Sequence, residues 1–402
     1  SLIVCDPSAR AGIEEIAAVS GARVETLDAA GQGSLSDLAG DQPAAFETVA
    51  RTGDDLAAIV YTSGTTGRSK GAMLTHANLA SNASTLVRIW RFTADDVLIH
   101  ALPIYHVHGL FVAINVLLMA GGTMIFLPKF DAGQIAGLLP RATTLMGVPT
   151  FYTRLLGHPG LTPETVRSMR LFVSGSAPLL PETHRDWRAR TGHAILERYG
   201  MTETGMNVSN PYDGERIGGT VGLPLPGVQL RIADPETGAL VADGEIGMIE
   251  VKGPNVFKGY WRMPEKTAQE FRPDGYFITG DLGTIARNGY VSIVGRGKDL
   301  IITGGLNVYP IEVEEKIDAL PGVVESAVVG LPHSDFGEAV TAVVAIGAGV
   351  APGESEVLKA LEQELAAFKR PKRVIFVEEL PRNTMGKVQK AALRAQYASL
   401  YG

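Results

Sequence analysis

The chain has 402 residues, of which 45% are hydrophobic and 20% are charged, a composition ordinary for a globular enzyme. Its net charge of −7 argues against general binding to nucleic acid or to an anionic membrane. The one cysteine, Cys5, excludes an internal disulfide and predicts a cytoplasmic location. One hydrophobic core rarely fills this length, so we expect two or three domains.

The predicted elements begin with the strand pattern "LIVCD", directly after Ser1. Strand and helix patterns then alternate: "AAIVYT" precedes "HANLASNASTLVRIW", "GTMIFL" precedes "AGQIAGLL", and "MRLFVSG" precedes "PETHRDWRAR". This alternation predicts a layered α/β domain with largely parallel strands. From about Gly227, short strands separated by Gly and Asp predict a more antiparallel, β-rich part that extends to residue 297. The segments after it predict a small α+β domain over residues 298–402, so we place the boundary at Lys298.

The stretch "YTSGTTGRSKG", from Tyr61 to Gly71, predicts a loop that binds phosphate. Its glycines let backbone N–H groups converge, its hydroxyls add donors, and Lys70 adds a positive charge. It does not fit the common P-loop, because Arg68 and Ser69 separate Gly67 from the lysine. The alternative is a flexible polar surface loop.

Six motifs together resemble the adenylate-forming superfamily of acyl-CoA synthetases, luciferase-like enzymes and adenylation domains. Besides the loop, they are "YGMTETG", "GYWRMPEKT", "YFITGDLG", "GRGKDLIITGG" and "PRNTMGKVQK", in the order of that superfamily. The resemblance implies a large α/β domain with a β-rich subdomain, joined by a hinge to a small α+β domain. It also implies that the chain lacks the first portion of such proteins. The implied chemistry activates an acid with ATP and then transfers the acyl group to coenzyme A.

The resemblance assigns roles around ATP. Glu203 would bind Mg²⁺, Thr202 would donate to the α-phosphate, and Lys387 would reach the acyl carboxylate and the α-phosphate as the catalytic lysine. Asp281 and Arg296 would hold the ribose. The other implied ATP-binding residues are Thr62, Ser63, Gly64, Thr65, Thr66 and Lys70 at the phosphates, and Gly175, Ser176, Ala177, Tyr199 and Gly200 around the adenine. The alternatives are a solvated acid at Glu203, a turn aspartate at 281 and an exposed lysine at 387.

The resemblance also implies that Lys298 is a hinge. The small domain would rotate there, presenting Lys387 for the first half-reaction and the loop Gly304, Gly305 and Leu306 to coenzyme A for the second. The cationic stretch "AFKRPKR" would then meet the phosphate end of coenzyme A, unless it is only a solvated surface.

The acid is predicted from residues around the expected acyl site, which include His106, His108, Met206 and Arg216. An arginine there suggests a second carboxylate, because guanidinium matches a carboxylate and stays charged. The surrounding stretches resemble bacterial malonyl-CoA synthetases, which implies malonate as the substrate. The alternatives are methylmalonate, a short monocarboxylate, an aryl acid, a peptide-synthetase adenylation domain or a non-catalytic member of the fold. A surface position for Arg216 and a packing role for His108 also remain open.

Overall fold

The protein is described by a computed structural model, which covers residues 1–62, 69–347, 352–383 and 387–402. The chain forms two compact units, Ser1–Thr52 and Gly53–Gly402. The first unit consists of β1 (Leu2–Cys5), α1 (Arg10–Ser20), β2 (Arg23–Thr26) and α2 (Ser34–Gly40). Strands β1 and β2 pair in parallel. Helix α1 ends at Gly21 with φ of 65°, a left-handed conformation that glycine adopts without strain.

The second unit begins with an α/β region. Its elements are β3 (Leu56–Thr62), β4 (Lys70–Thr75), α3 (His76–Ile89), β5 (Val97–His100), a π-helical segment (His108–Ile114), α4 (Asn115–Ala120), β6 (Thr123–Phe126), α5 (Ala132–Leu138), β7 (Thr144–Gly147), α6 (Pro149–Leu156), β8 (Leu171–Ser174), α7 (Pro181–Thr191), β9 (Leu196–Met201), β10 (Gly205–Ser209) and β11 (Leu223–Pro224).

A seven-stranded sheet, ordered β11-β10-β9-β8-β7-β5-β6, forms the centre of this region. The strands from β5 to β9 pair in parallel, as the alternating pattern predicts. Strands β7 and β8 are buried along their whole length, since helices cover parallel strands on both faces. The side chains of Trp187, Tyr152 and Phe172 pack edge to face in the adjoining core.

Strands β3 and β4 differ from the prediction, because they form a separate antiparallel pair outside the parallel sheet. Because β4 follows β3 in the chain and runs antiparallel to it, the chain reverses direction here, whereas a helical crossover would continue a parallel sheet. On its other side β4 pairs with the segment around Tyr260: Met73 N–H donates to Gly259 O and Trp261 N–H to Gly71 O.

The β-rich part and the C-terminal part follow. The first is a four-stranded antiparallel sheet of β12 (Gln229–Ala233), β13 (Gly247–Lys252), β14 (Phe277–Ile285) and β15 (Val291–Arg296), with α8 (Pro264–Gln269) between β13 and β14. The second contains β16 (Ile301–Thr303), β17 (Leu306–Val308), α9 (Pro310–Asp318), β18 (Val323–His333), β19 (Gly337–Ile346), α10 (Glu354–Leu361), β20 (Arg373–Val377) and α11 (Lys390–Gln396).

A five-stranded mixed sheet forms the centre of the C-terminal part, with β20 parallel to β19 and the other pairs antiparallel. Helices α9 and α10 contribute Val313, Ile317, Val357 and Leu361 to its core. The predicted fold class is therefore confirmed: a large α/β region with a β-rich part and a small α+β module. Among the described residues, no helix combines the length and apolar character that crossing a membrane requires.

Candidate active site

A buried carboxylate joins the seven-stranded sheet to the β-rich sheet. Asp281 on β14 lies opposite Arg296 on β15, whose Nε is 2.8 Å from Asp281 Oδ1. Tyr199 on β9 donates its hydroxyl to Asp281 Oδ2 at 2.6 Å. The charge of Asp281 raises the pKa of Arg296, whereas burial, reinforced by that charge, raises the pKa of Tyr199. Both neighbours therefore keep their protons, and the carboxylate stays fixed between them.

A second buried carboxylate lies just after β9. Glu203 is 6% exposed, and Tyr260 donates its hydroxyl to Glu203 Oε1 at 2.9 Å. Lys70, the first residue of β4, donates from Nζ to the same hydroxyl at 3.2 Å. Burial raises the pKa of Glu203, and the Tyr260 hydrogen bond opposes that rise. One hydroxyl therefore connects the lysine of the phosphate-loop motif to the acid of "MTETG".

These residues fit a Mg²⁺ ion that is bound largely by phosphate. Across the ranges that the structure describes, no group of three or more His, Cys, Asp or Glu side chains is arranged to hold a metal alone. Mg²⁺ commonly takes one or two carboxylates and completes its octahedron with water and substrate phosphates. Glu203 can supply one such carboxylate.

Lys387 reaches the same region from the C-terminal part. Burial lowers its pKa, the positive charge of Arg296 lowers it further, and Asp281 and Glu203 act in the opposite direction. The Lys387 ammonium therefore interacts electrostatically with both carboxylates. Asn383 holds the backbone of the lysine: Lys387 N–H donates to Asn383 Oδ1 and Asn383 N–H to Lys387 O, both at 3.0 Å.

Two histidines lie at the start of the π-helical segment. His108 is 1% exposed, and its Nδ1 lies 3.2 Å from the hydroxyl of Ser176. Ser176 has φ of 71°, an uncommon conformation for a non-glycine residue. Burial lowers the pKa of His106 to about 4, helped by the charges of Lys387 and Arg198. Both imidazoles are therefore neutral at pH 7, since burial also lowers the pKa of His108 well below its usual value.

Arg198 is the most unusual charge beside these histidines. It lies on β9, it is 3% exposed, and burial lowers its pKa to about 9. Within the described part of the chain, no acceptor hydrogen-bonds its Nε or Nη2. Its guanidinium packs on Gly175, where a Cβ would lie only 2.4 Å from Arg198 Cζ. Burying a cation with two N–H groups unpaired among the described residues is costly, so these groups are open to an acceptor from a ligand.

Comparisons with known proteins identify the family. Residues 2–261 match the family described as AMP-binding enzyme, and residues 312–387 match the AMP-binding enzyme C-terminal domain. The chain belongs to the AMP-binding enzymes. It is 39% identical to a malonate–CoA ligase of Arabidopsis thaliana, over 95% of this chain and 68% of that protein. It thus spans about two thirds of that relative's length.

Two solved structures of MatB from Rhodopseudomonas palustris are also similar to this AMP-binding enzyme. Each is 68% identical and is matched over 100% of this chain and 80% of that one. The ATP-bound structure gives a TM-score of 0.98 and the apo structure 0.82.

The remaining expected site residues of this AMP-binding enzyme lie in several places. Thr202 lies in the turn between β9 and β10, Gly200 is in β9, and Ala177 follows Ser176 in the segment after β8. Met206 is buried on β10 with its Cε against the position that a Gly200 Cβ would take. Thr62 is the last residue of β3. Ser63, Gly64, Thr65 and Thr66 lie outside the described residues.

Arg216 is not brought to the group around Asp281, Glu203 and Lys387. Its guanidinium donates to the backbone carbonyls of Pro211, Tyr212 and Ala194, the last just before the amino end of β9. These hydrogen bonds use the guanidinium donors of Arg216 to stabilise the loop after β10.

Elements of the C-terminal part carry the other expected residues. Lys298 lies in a 3₁₀ turn, Gly297–Asp299, between β15 and β16. Gly304 and Gly305 have φ of 57° and 78° and form the turn before Leu306, which starts β17. The turn therefore needs glycine, as left-handed φ values disfavour other residues.

The sequence analysis missed Arg198 and Tyr260. A signal for the first was present: "AILERYGM" places two charged residues, Glu197 and Arg198, inside a largely apolar strand pattern. Tyr260 carried no comparable signal, because aromatic residues are common in half-buried strands and its partners are distant in sequence.

Proposed function

We propose that this chain is an acid–thiol ligase, which converts malonate, ATP and coenzyme A into malonyl-CoA, AMP and pyrophosphate through a malonyl-adenylate. The observation that carries the choice of acid is the buried guanidinium of Arg198, beside His106 and His108, whose Nε and Nη2 find no acceptor among the residues that the structure describes. Membership of the AMP-binding enzymes and the similarity to malonate–CoA ligases support the reaction type.

Arg198 would bind the carboxylate of malonate that does not react. A guanidinium matches a carboxylate with two parallel hydrogen bonds, and the pair is strong where water is excluded. A monocarboxylic acid would leave the buried charge unpaired, so the pocket selects against it. We therefore assign the second carboxylate to Arg198 in place of Arg216, because Arg216 already donates to three backbone carbonyls. Neutral His106 and His108 would line the space beside the acyl group, with Met206 behind β9.

The first half-reaction joins the other malonate carboxylate to AMP. A carboxylate oxygen attacks the α-phosphorus, the bond to the β-phosphate oxygen breaks, and pyrophosphate leaves. Lys387 would neutralise charge on the acyl carboxylate and the α-phosphate, and Thr202 would donate to the α-phosphate. Thr62 to Thr66 and Lys70 would hold the β- and γ-phosphates. Bound Mg²⁺, held by Glu203 and phosphate oxygens, would offset the charge of the triphosphate.

Adenosine would be held by groups on both sheets. Tyr199 and Gly200 would lie on one side of the base, and Gly175, Ser176 and Ala177 on the other. Asp281 would accept from the ribose hydroxyls, assisted by Arg296, whose pair with Asp281 fixes that carboxylate.

The second half-reaction forms the thioester. The sulfur of coenzyme A attacks the acyl carbon and AMP leaves. We place a mobile domain at residues 298–402 and the remainder at 1–297, with Lys298 as the hinge and Gly304 to Leu306 facing coenzyme A. The lower TM-score to apo MatB than to its ATP-bound form supports a moving part. A cytoplasmic location stays a prediction, supported by the single cysteine.

The direct test incubates the protein with ATP, Mg²⁺ and coenzyme A and measures AMP release for a panel of acids. The panel contains malonate, methylmalonate, acetate, propionate and benzoate. We expect malonate to give the highest kcat/KM and malonyl-CoA to form in equal amount to AMP. A higher kcat/KM for a monocarboxylate would overturn the assignment of the acid, and AMP release without any thioester would overturn the assignment of the acceptor.

A further inference from the structure

Tyr260 occupies a position that the reaction scheme above does not use. Its hydroxyl receives a hydrogen bond from Lys70 Nζ and donates one to Glu203 Oε1, at 3.2 and 2.9 Å. Its ring also lies 4.3 Å from the Lys70 ammonium, measured from Nζ to the ring centroid. The side chain is 3% exposed, so water does not replace either bond.

The local fold explains how Tyr260 reaches both groups. The backbone around it pairs with β4, which begins at Lys70, and Ala72 forms a bridge with Tyr260 itself. Its N–H donates to Thr267 Oγ1, and its ring packs edge to face on Phe257 at 4.9 Å. The ring is therefore fixed before any ligand binds, which is the condition for a side chain that orients others.

Lys70 is held more loosely by its other partner. Its Nζ lies 3.7 Å from Glu270 Oε1, whereas Lys266 lies 2.6 Å from that same oxygen. Because Lys266 already neutralises Glu270, moving Lys70 towards a phosphate leaves no carboxylate unpaired. The Tyr260 hydroxyl is then the contact that limits where the ammonium and the Glu203 carboxylate lie relative to each other.

We propose that Tyr260 is a positioning residue, which holds the Glu203 carboxylate and the Lys70 ammonium in the relative positions that bind the metal-bound triphosphate. This inference rests on the proposed function, because it takes Glu203 as the metal ligand and Lys70 as a phosphate ligand. Tyr260 contacts neither malonate nor coenzyme A in this scheme. Its loss therefore affects the binding of metal and triphosphate and spares the later thioester step.

The test is Tyr260→Phe, which keeps the ring, its packing on Phe257 and its face towards Lys70. Mn²⁺ binding to the complex with α,β-methylene-ATP is followed by electron paramagnetic resonance, without any acid present. We expect the dissociation constant for Mn²⁺ to rise roughly tenfold or more, as for a lost hydrogen bond to a charged group. Thioester formation from pre-made malonyl-adenylate should keep its wild-type rate.

Tyr276→Phe is the matched control. Its hydroxyl donates to Gln229 at 2.9 Å and its ring lies under Arg231, away from Glu203 and Lys70. Mn²⁺ binding should be unchanged in this variant. Glu270→Gln gives a second arm: it removes the competing carboxylate beside Lys70, so triphosphate affinity should stay equal or rise.

Three results would overturn the inference: unchanged Mn²⁺ affinity in Tyr260→Phe, the same loss in Tyr276→Phe, or an equal loss in the thioester step. A loss of triphosphate affinity in Glu270→Gln would also contradict it, because Lys70 would then depend on Glu270 for its place. None of these results bears on the choice of acid, which the acid panel with the wild-type protein decides separately.

Discussion

Replacing Arg198 with methionine should separate stability from substrate choice. Methionine keeps most of the apolar volume and removes the buried charge. In the folded protein burial lowers the pKa of Arg198 from its ordinary value to about 9, because it disfavours the charged form. The penalty is therefore complete below about pH 9 and decreases as the pH rises above it. At pH 7 the ligand-free variant should be more stable than the wild type.

The magnitude follows from that shift. A shift of this size corresponds to roughly 5 kcal/mol as an upper limit, since each pKa unit is 1.36 kcal/mol. Replacing buried ionic groups with apolar ones typically stabilises by about 1–4 kcal/mol, and we expect Arg198→Met to fall in that range. Its kcat/KM for malonate should fall roughly 30-fold or more, because losing one partner of a buried charge pair costs about 2–5 kcal/mol. Activity on acetate should fall little.

The assay combines urea unfolding at pH 7 with AMP release from malonate and from acetate. Arg216→Met is the control: it leaves the carbonyls of Pro211, Tyr212 and Ala194 without their donor. That variant should be less stable and should lose activity on both acids in proportion. The reasoning would be refuted if Arg198→Met kept its preference for malonate, or if it lost stability while Arg216→Met changed the preference.

Three further changes test other parts of the molecule. Lys387→Ala should abolish adenylation, measured by pyrophosphate exchange, yet spare thioester formation from malonyl-adenylate; equal loss in both would mean a structural role. Lys298→Pro should slow the thioester step most, because it restricts the 3₁₀ turn at the hinge, and unchanged kinetics in both steps would argue against a hinge. Burial raises the pKa of Glu197 from 4.5 to about 8, so the wild type should lose stability as the pH rises between those values. Glu197→Gln should flatten that slope in urea unfolding at several pH values, and an identical slope would contradict the buried titration.

Much of the fold could be predicted because local patterns agree with the final packing. The strand and helix alternation over β8 and α7 depends on buried runs and on Pro181 at the first turn of the helix. The pairing of β3 with β4 could not be read in the same way. "AAIVYT" is an apolar run that fits a parallel or an antiparallel partner equally well, and in the structure its partner β4 is antiparallel.

In the candidate site, too, some residues could be predicted from the sequence and others could not. Asp281, Glu203 and Lys387 stand in motifs, so their types and order predicted that they share one site, and the charges of Asp281 and Glu203 both raise the pKa of Lys387. Arg198 directly precedes "YGMTETG" and Arg216 follows it, and the sequence alone did not show that the carbonyls of Pro211, Tyr212 and Ala194 would accept from Arg216.

The contact between Gly175 and Arg198 couples two positions in any change of acyl preference. Gly175 needs no left-handed backbone, so its own conformation would accept a side chain, and the three atoms nearest to the added Cβ all belong to the Arg198 guanidinium. A larger residue at 175 would be rejected while the arginine remains, whereas removing the arginine alone would leave unfilled space. To change this sequence into a ligase for bulky or monocarboxylic acids, the substitutions would have to follow a fixed order. Arg198 would be replaced by a shorter residue first, and Gly175 by a larger one afterwards.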